Sequence, residues 1–242
     1  MTERRERVDP WTLVRRRLSG IKPKHIYIKD GRRVDAEKMR IALIFIYLYA
    51  CRSAEVLARR SPSDRTKFQY GVYRRDVYID IYPRRLNGDA YEEVEVLVAE
   101  IPIAKKKELT YRQVAVPIEY EPFAREILRY IEKYDDDDPL FNITRQTLHQ
   151  ASKTWLQGLT YRIRRYGDVE SHERQAGLHY LRHMRISELV ADYHFDGIDV
   201  TTYVGWKMTS EEIPPHLAEL LDRYGHRRWT RYIEKLFKHP RT

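Results

Sequence analysis

The chain has 242 residues and a formal net charge of +9, which favours a polyanionic partner, nucleic acid before membrane. Its single cysteine, Cys51, excludes an intrachain disulfide and a cysteine-based metal cluster, and it is typical of a reducing cytoplasm. The apolar run at residues 41–51 is too short to span a bilayer, and a core helix explains it.

Hydrophobic spacing predicts helices around a small three-stranded antiparallel sheet, an α+β fold that is mostly helical. Asp9 and Pro10 predict the start of a helix that runs to about Leu18. Asp35 caps a second, buried helix that continues to Leu48. The predicted strands cover residues 68–82, 94–103 and 111–116. Further helices are predicted over residues 121–134, 144–165, 180–192 and 227–237, with a loop over 167–177.

Two parts of the chain are predicted from these elements. Basic turns at residues 22–24 and 29–32 lie before the helix that Asp35 caps. We therefore expect residues 1–34 to form a basic arm or remnant linker and residues 35–242 to form one domain. No internal repeat or low-complexity linker divides the second part.

The segment HYLRH at residues 179–183 opens a predicted helix. His179 and Arg182 are three residues apart, so they project from the same side of its first turn. That end of a helix carries unpaired N–H groups and partial positive charge. An imidazole, a guanidinium and a helix N-terminus together predict a site for an anion, most simply a phosphate. The alternative is a basic helix start exposed to solvent.

Three other features add candidate residues. Arg52 follows the buried helix directly, so we expect it to be half buried and paired with Glu55, although a surface ion pair is the alternative. Lys105, Lys106 and Lys107 form a cluster at a predicted hairpin tip, where most such clusters are merely solvated. The Gly205-Trp206 step follows a short helix, and core packing is the alternative for the tryptophan.

In this order the candidates resemble the catalytic domain of the tyrosine recombinases, the phage-integrase family, over residues 35–240. The most specific motif is HxLRH, and residues 179–183 match it at every fixed position. The other matching features are an ARxxE-like box at residues 50–55, a hairpin lysine within residues 103–107, the Gly205-Trp206 step and a tyrosine near the C-terminus, Tyr232.

The resemblance implies an enzyme that cleaves and rejoins DNA at specific sites through a 3′-phosphotyrosyl intermediate, with no cofactor and no metal ion. Tyr232 is then the nucleophile, while Arg52 and Arg182 hold the scissile phosphate as its negative charge grows. Trp206 donates a further hydrogen bond, and His179 accepts the phenol proton.

The resemblance also implies the remaining roles. A hairpin lysine protonates the leaving 5′ oxygen; Lys105 is favoured, and Lys106 and Lys107 stay open because the hairpin is longer than the family's usual one. Tyr224 competes with Tyr232 as the nucleophile. Glu55 and His183 orient the arginines and the tyrosine. The predicted contacts to the DNA backbone are Lys106, Lys107, Arg33, Arg185 and Lys207.

The chain also departs from the family's pattern. Residues 209–225 look inserted between Trp206 and Tyr232, either as an extra helix or as a reach toward a neighbouring subunit's site. Two rival functions remain open, a type IB topoisomerase and a non-catalytic DNA-binding module. The expected partners are double-stranded DNA and further copies of this chain, as a dimer or tetramer, in a DNA-associated cytoplasmic location and without a membrane.

Overall fold

The computed structural model of the chain describes residues 8–22, 27–29, 32–60, 68–86, 90–103, 110–163, 172–206 and 229–241. The α+β fold expected from the sequence is confirmed, since helices surround an antiparallel sheet of three strands. In the described ranges no helix is long and apolar enough to cross a membrane.

Seven helices and nine strands make up the described ranges. The helices are α1 (Pro10–Gly20), α2 (Ala36–Leu48), α3 (Ser53–Val56), α4 (Pro122–Ile131), α5 (Arg145–Trp155), α6 (Leu178–Ala191) and α7 (Gly197–Val204). The strands are β1 (Tyr27–Lys29), β2 (Arg32–Val34), β3 (Arg59–Arg60), β4 (Phe68–Tyr70), β5 (Val77–Arg85), β6 (Tyr91–Pro102), β7 (Tyr111–Pro117), β8 (Thr160–Ile163) and β9 (His172–Gln175).

Helix α2 lies at the centre of the core. The side chain of Asp35 caps its N-terminus by accepting a hydrogen bond of 2.9 Å from the Lys38 N–H, as the sequence predicts. Residues 39–48 are all buried, because the helix is apolar on every side and packs against α1, α4, α5 and α6. The end of α2 is therefore a fixed point from which Arg52 and α3 project.

The sheet has the strand order β5-β6-β7, with β6 in the middle. Residues 96–99 of β6 are fully buried, whereas β5, on the edge, alternates between the two faces and exposes Ile79 and Ile81. Strand β7 is buried over most of its length and faces the C-terminal 3-10 turn Ile233–Leu236. This strand carries two groups that matter below, Arg112 and the Ala115 N–H.

Three predicted elements differ from the structure. The helix expected over residues 144–165 ends at Trp155, because residues 160–163 pair with β9, all of which was expected to be loop. The strand expected over residues 68–82 is interrupted at Gly71, whose φ of 110° and close approach to Ala58 leave no room for a side chain. Near the C-terminus, Tyr232 precedes a 3-10 turn rather than lying inside a helix.

Helix α1 joins the core through a buried charge network. Its Arg15 donates to Glu121 at 2.8 and 2.9 Å and to Glu188 at 2.5 Å, and Arg185 donates to Glu188 at 2.6 Å. The Tyr47 hydroxyl also donates to Glu188, at 2.7 Å. Burial alone would raise the pKa of Glu188, but Arg185 and Arg15 lower it to about 2.

This network bears on the predicted division of the chain. Val14 and Leu18 of α1, which belong to the predicted N-terminal part, are buried in the same core as α2. The boundary at residue 34 itself stays a prediction.

Candidate active site

The candidate site begins at the turn that connects α2 to α3. Ala50 adopts a positive φ of 47°, which turns the chain sharply and costs about 1–2 kcal/mol for a residue with a side chain. Arg52 then caps α3: its backbone N–H donates to Glu55 at 2.8 Å and its guanidinium donates to the same carboxylate at 2.9 Å. Glu55 is buried and the Arg52 side chain is 28% exposed, so the pair lies at the edge of the core, as expected from the sequence.

Helix α6 brings Arg182 to the same carboxylate. Its guanidinium donates to the carbonyls of Ala50 at 2.5 Å and Val204 at 3.4 Å, and lies 3.7 Å from Glu55. Burial lowers the pKa of Arg182 to about 10, with Arg112 and Arg52 acting in the same direction and Glu55 opposing them. Arg182 is still protonated at neutral pH, and the two arginines far apart in the chain meet at one point.

His179 and His183 stand beside these arginines on the first turns of α6. Their rings meet edge to face with centroids 4.4 Å apart. The pKa of His179 is lowered by burial, His183, Arg182 and Arg52, and the pKa of His183 is lowered by burial and Arg182. Both imidazoles are therefore neutral at pH 7, and His179 is exposed, so it is able to accept a proton.

Trp206 lies at the surface of this cluster, 47% exposed, rather than in the core. The guanidinium carbon of Arg182 sits 5.8 Å from the centre of its ring, at cation–π distance. Gly205, the residue before Trp206, ends α7 with its backbone in the left-handed region, at a φ of 69°. Six predicted residues thus come together: Arg52, Glu55, His179, Arg182, His183 and Trp206.

A third guanidinium, Arg112 on β7, was missed by sequence reasoning. It lies 3.6 Å from Glu55, and donates to the carbonyls of Tyr49 at 3.2 Å and of Tyr203. The available signal was a charged residue at an inward position of a strand whose last four residues are apolar. Without a partner in the local sequence, that signal does not identify what the arginine contacts.

Tyr232 occupies a different position. Its side chain is fully buried, its hydroxyl accepts a hydrogen bond of 3.2 Å from the Ala115 N–H, and its ring packs 5.2 Å from those of Phe195 and Tyr203. Burial raises its pKa well above 10. In the described part of the chain, no hydrogen bond or ring contact joins Tyr232 to Arg52 or Arg182.

Some predicted residues cannot be placed. Those outside the described residues are Lys105, Lys106, Lys107, Lys207 and Tyr224. Arg33 belongs to β2, but its side chain also lies outside the described residues.

Arg185 requires a correction as a predicted contact to the DNA backbone. It is 1% exposed and belongs to the buried network with Glu188, with its guanidinium over the rings of Tyr193 and Tyr203. Its position two turns into α6 points inward, so it neutralises carboxylates instead of phosphates.

Replacing Gly205 with alanine is expected to destabilise the protein by at least about 1–2 kcal/mol, because a side chain at this positive φ is strained. The new methyl group would also overlap the Cδ atom of Arg112. Urea unfolding measures the change. Gly197→Ala is the matched control, since a methyl group there meets nothing within 4 Å; equal effects of the two substitutions would contradict the expectation.

No protein-family model and no curated protein matches the chain. Two solved structures are similar to it. One is a pre-cleavage complex of XerH site-specific recombinase bound to difH substrate, with 18% identity and a TM-score of 0.46 over 89% of this chain and 50% of that one. The other is a post-cleavage complex of XerH bound to palindromic difH substrate, with 19% identity and a TM-score of 0.47 over 90% of this chain and 52% of that one. The chain therefore spans about half the length of the solved chains it matches.

Proposed function

We propose that this chain is a site-specific DNA recombinase that cleaves and rejoins DNA through a 3′-phosphotyrosyl intermediate, acting as an oligomer on double-stranded DNA in a DNA-associated location. One observation carries the proposal. Arg52 and Arg182 converge on Glu55, and His179 and Trp206 lie beside them at the surface. Residues of these types in one place suit the binding of a phosphodiester and the transfer of its phosphoryl group.

Charge favours an anion at this point. Three guanidinium groups lie 2.9, 3.6 and 3.7 Å from Glu55, and this single carboxylate neutralises only one of their positive charges. Arg52 is the partly exposed member of the set, so it is the group that reaches a phosphate first. Arg182 lies behind Arg52 and strengthens the positive electrostatic field at the phosphate. This field stabilises the transition state most, because the phosphoryl oxygens gain negative charge there.

The proposed reaction replaces the phosphodiester bond of DNA by a phosphotyrosyl bond, so the bond energy is kept for rejoining. The oxygen of Tyr232 attacks phosphorus, the bond from phosphorus to the 5′ oxygen breaks, and a free 5′-hydroxyl leaves. Neutral His179 accepts the phenol proton, and a lysine within residues 105–107 protonates the leaving oxygen. Attack by the 5′-hydroxyl of another strand reverses these steps and restores the tyrosine.

Tyr232 has to leave its buried position before it can react. Its hydroxyl gives up the bond from Ala115, and its ring separates from Phe195 and Tyr203. We propose that binding of DNA, or docking of a second subunit, drives this rearrangement of residues 229–241, so that the phenol reaches a phosphate held by Arg52 in its own or a neighbouring subunit.

The burial of Tyr232 specifically favours a second candidate function, a non-catalytic module that binds DNA through the same basic cluster. Covalent capture on a nicked suicide duplex separates the two. The recombinase proposal expects a protein–DNA adduct that survives denaturation, with the attached residue identified by peptide mapping as Tyr232. Wild type that never forms an adduct would support the non-catalytic module. Relaxation of supercoiled plasmid without a specific site would favour a type IB topoisomerase.

Binding to duplex DNA is expected to weaken steeply with salt, since lysine and arginine contacts displace counterions from the backbone. A protein that makes about 6 phosphate contacts loses roughly 10³-fold in affinity between 50 and 200 mM salt. Fluorescence anisotropy over that range measures the slope. An affinity that does not change with ionic strength would contradict a phosphate-binding surface.

A further inference from the structure

We propose that Arg112 is a positioning residue, which holds Glu55 and the end of α7 so that Arg52 faces a phosphate with Arg182 directly behind it. The inference rests on the proposed function. It starts from the placement of Arg112 on β7: the Arg52 guanidinium donates to one carboxylate oxygen of Glu55 at 2.9 Å, and Arg112 lies 3.6 Å from the other.

The contacts of Arg112 join three separate elements. Its Nη2 atom donates to the Tyr49 carbonyl at the end of α2 and lies 3.5 Å from the Cys51 sulfur. Its Nη1 atom donates to the Tyr203 carbonyl in the last turn of α7. One planar guanidinium therefore fixes the segment that leads to Arg52 and the segment that leads to Trp206.

Arg182 depends on the same two segments. It donates to the carbonyls of Ala50 and Val204, each one residue after a carbonyl that Arg112 holds. Arg112 on β7 and Arg182 on α6 thus hold the same two segments, the ends of α2 and α7, and a shift in either segment moves an acceptor of Arg182. Gly205 allows this approach, since any side chain there would overlap Arg112.

Arg112 acts through these groups and not on the phosphate itself. Its side chain is only 5% exposed, and its Nη atoms already face carbonyls and Glu55. The 28% exposure of Arg52 marks the side from which a phosphate approaches. Loss of Arg112 therefore leaves the phosphate ligands present but free to shift, and a misplacement of about 1 Å is enough to slow a reaction about 100-fold.

The test uses the full chain and a nicked suicide duplex. Arg112→Met is expected to slow single-turnover formation of the covalent complex about 100-fold, with DNA affinity changed less than about threefold, since the phosphate ligands remain. Arg125→Met is the matched control, because Arg125 also donates to two backbone carbonyls, those of Ile118 and Glu119, but on α4. It should react at the wild-type rate.

Two readouts separate positioning from a merely structural role. A structural role lowers the fraction of protein that reacts and leaves the rate constant unchanged, whereas positioning lowers the rate constant of all the protein. The second readout uses a duplex with a methylphosphonate at the scissile position, which carries no negative charge and so depends less on the arginines. On that duplex the ratio of the wild-type rate constant to the Arg112→Met rate constant should be smaller. Arg112→Lys keeps the charge but not the fork, and an intermediate rate is expected.

Each other outcome overturns at least one of the two proposals. If Arg112→Met reacts like Arg125→Met while wild type forms the adduct, the inference about Arg112 fails and the recombinase proposal stands. If wild type forms no adduct, the proposed function fails, and the inference that rests on it fails as well. If Arg112→Met does not fold, Arg112→Lys decides, and a wild-type rate overturns the inference.

Discussion

Tyr232→Phe is expected to abolish covalent capture of DNA completely, while the protein stays folded and keeps its affinity for the duplex. The phenyl ring fills the same position between Phe195 and Tyr203, so packing is preserved. The substitution leaves the Ala115 N–H without its acceptor, at a cost of about 1–3 kcal/mol. Denaturing electrophoresis of the suicide-duplex reaction measures capture, and anisotropy measures DNA affinity.

Tyr203→Phe is the matched control for this prediction. Tyr203 belongs to the same aromatic cluster and its hydroxyl donates to the Leu48 carbonyl at 2.5 Å, so it also loses one buried hydrogen bond. It should still capture DNA, because Tyr232 is intact. Capture that survives in Tyr232→Phe and disappears in Tyr224→Phe would reassign the nucleophile. Mixing Tyr232→Phe with Arg182→Ala tests cleavage between subunits, which is ruled out if no capture is recovered.

Glu188→Gln is expected to reduce the free energy of unfolding by about 3–5 kcal/mol, because the buried guanidinium groups of Arg15 and Arg185 then share the single carboxylate of Glu121. Glu188 accepts from Arg15 at 2.5 Å, from Arg185 at 2.6 Å and from the Tyr47 hydroxyl at 2.7 Å. A neutral amide satisfies fewer of these donors and neutralises neither arginine. Urea unfolding at pH 7 measures the loss.

The control for Glu188 is another glutamate paired with an arginine. Glu92 lies 3.5 Å from Arg84, and the two side chains are 45% and 30% exposed. Because water already screens this pair, Glu92→Gln should cost only about 0–1 kcal/mol. Similar losses for the two substitutions would mean that the network at α1 contributes no special stability.

The same carboxylate predicts how stability varies with pH. The folded protein lowers the pKa of Glu188 from 4.5 to about 2, so the folded state holds fewer protons than the unfolded chain between these values. Its contribution is fully present above about pH 4.5 and is lost as the pH falls toward 2. The difference in unfolding free energy between wild type and Glu188→Gln should therefore be constant from pH 5 to 7 and shrink below pH 4.5.

Local pattern was sufficient for the parts of the fold that depend on neighbouring residues. The α2 cap at Asp35 and the helix bearing His179 and Arg182 both lie where spacing and capping predict them. The pairing of Arg52 with Glu55 also follows from their separation by three residues. In each case the interacting groups are close in sequence.

Contacts between distant segments were beyond the same reasoning. Arg185 reads as a surface cation because a pairing with Glu188, three residues along the helix, fits an exposed face equally well, and the rings of Tyr47 and Tyr203 that cover it lie on other elements. The strands β8 and β9 have four residues each, and the Gly167-Asp168 signal between them does not tell which residues pair across it, so their residues read as helix and loop. The role of Arg112 likewise depends on the ends of α2 and α7, which only the folded chain brings together.

The burial of Tyr232 against Ala115 has a consequence for how accurately DNA sites are selected for cleavage. On the proposed mechanism, a protein diffusing along arbitrary sequence carries no competent nucleophile, so brief encounters do not nick the chromosome. Only a complex stable enough to offset the lost packing of that phenol advances to chemistry, and the apparent affinity is reduced by the small fraction of competent molecules. DNA sites are then distinguished when Tyr232 leaves its buried position as well as when the protein binds.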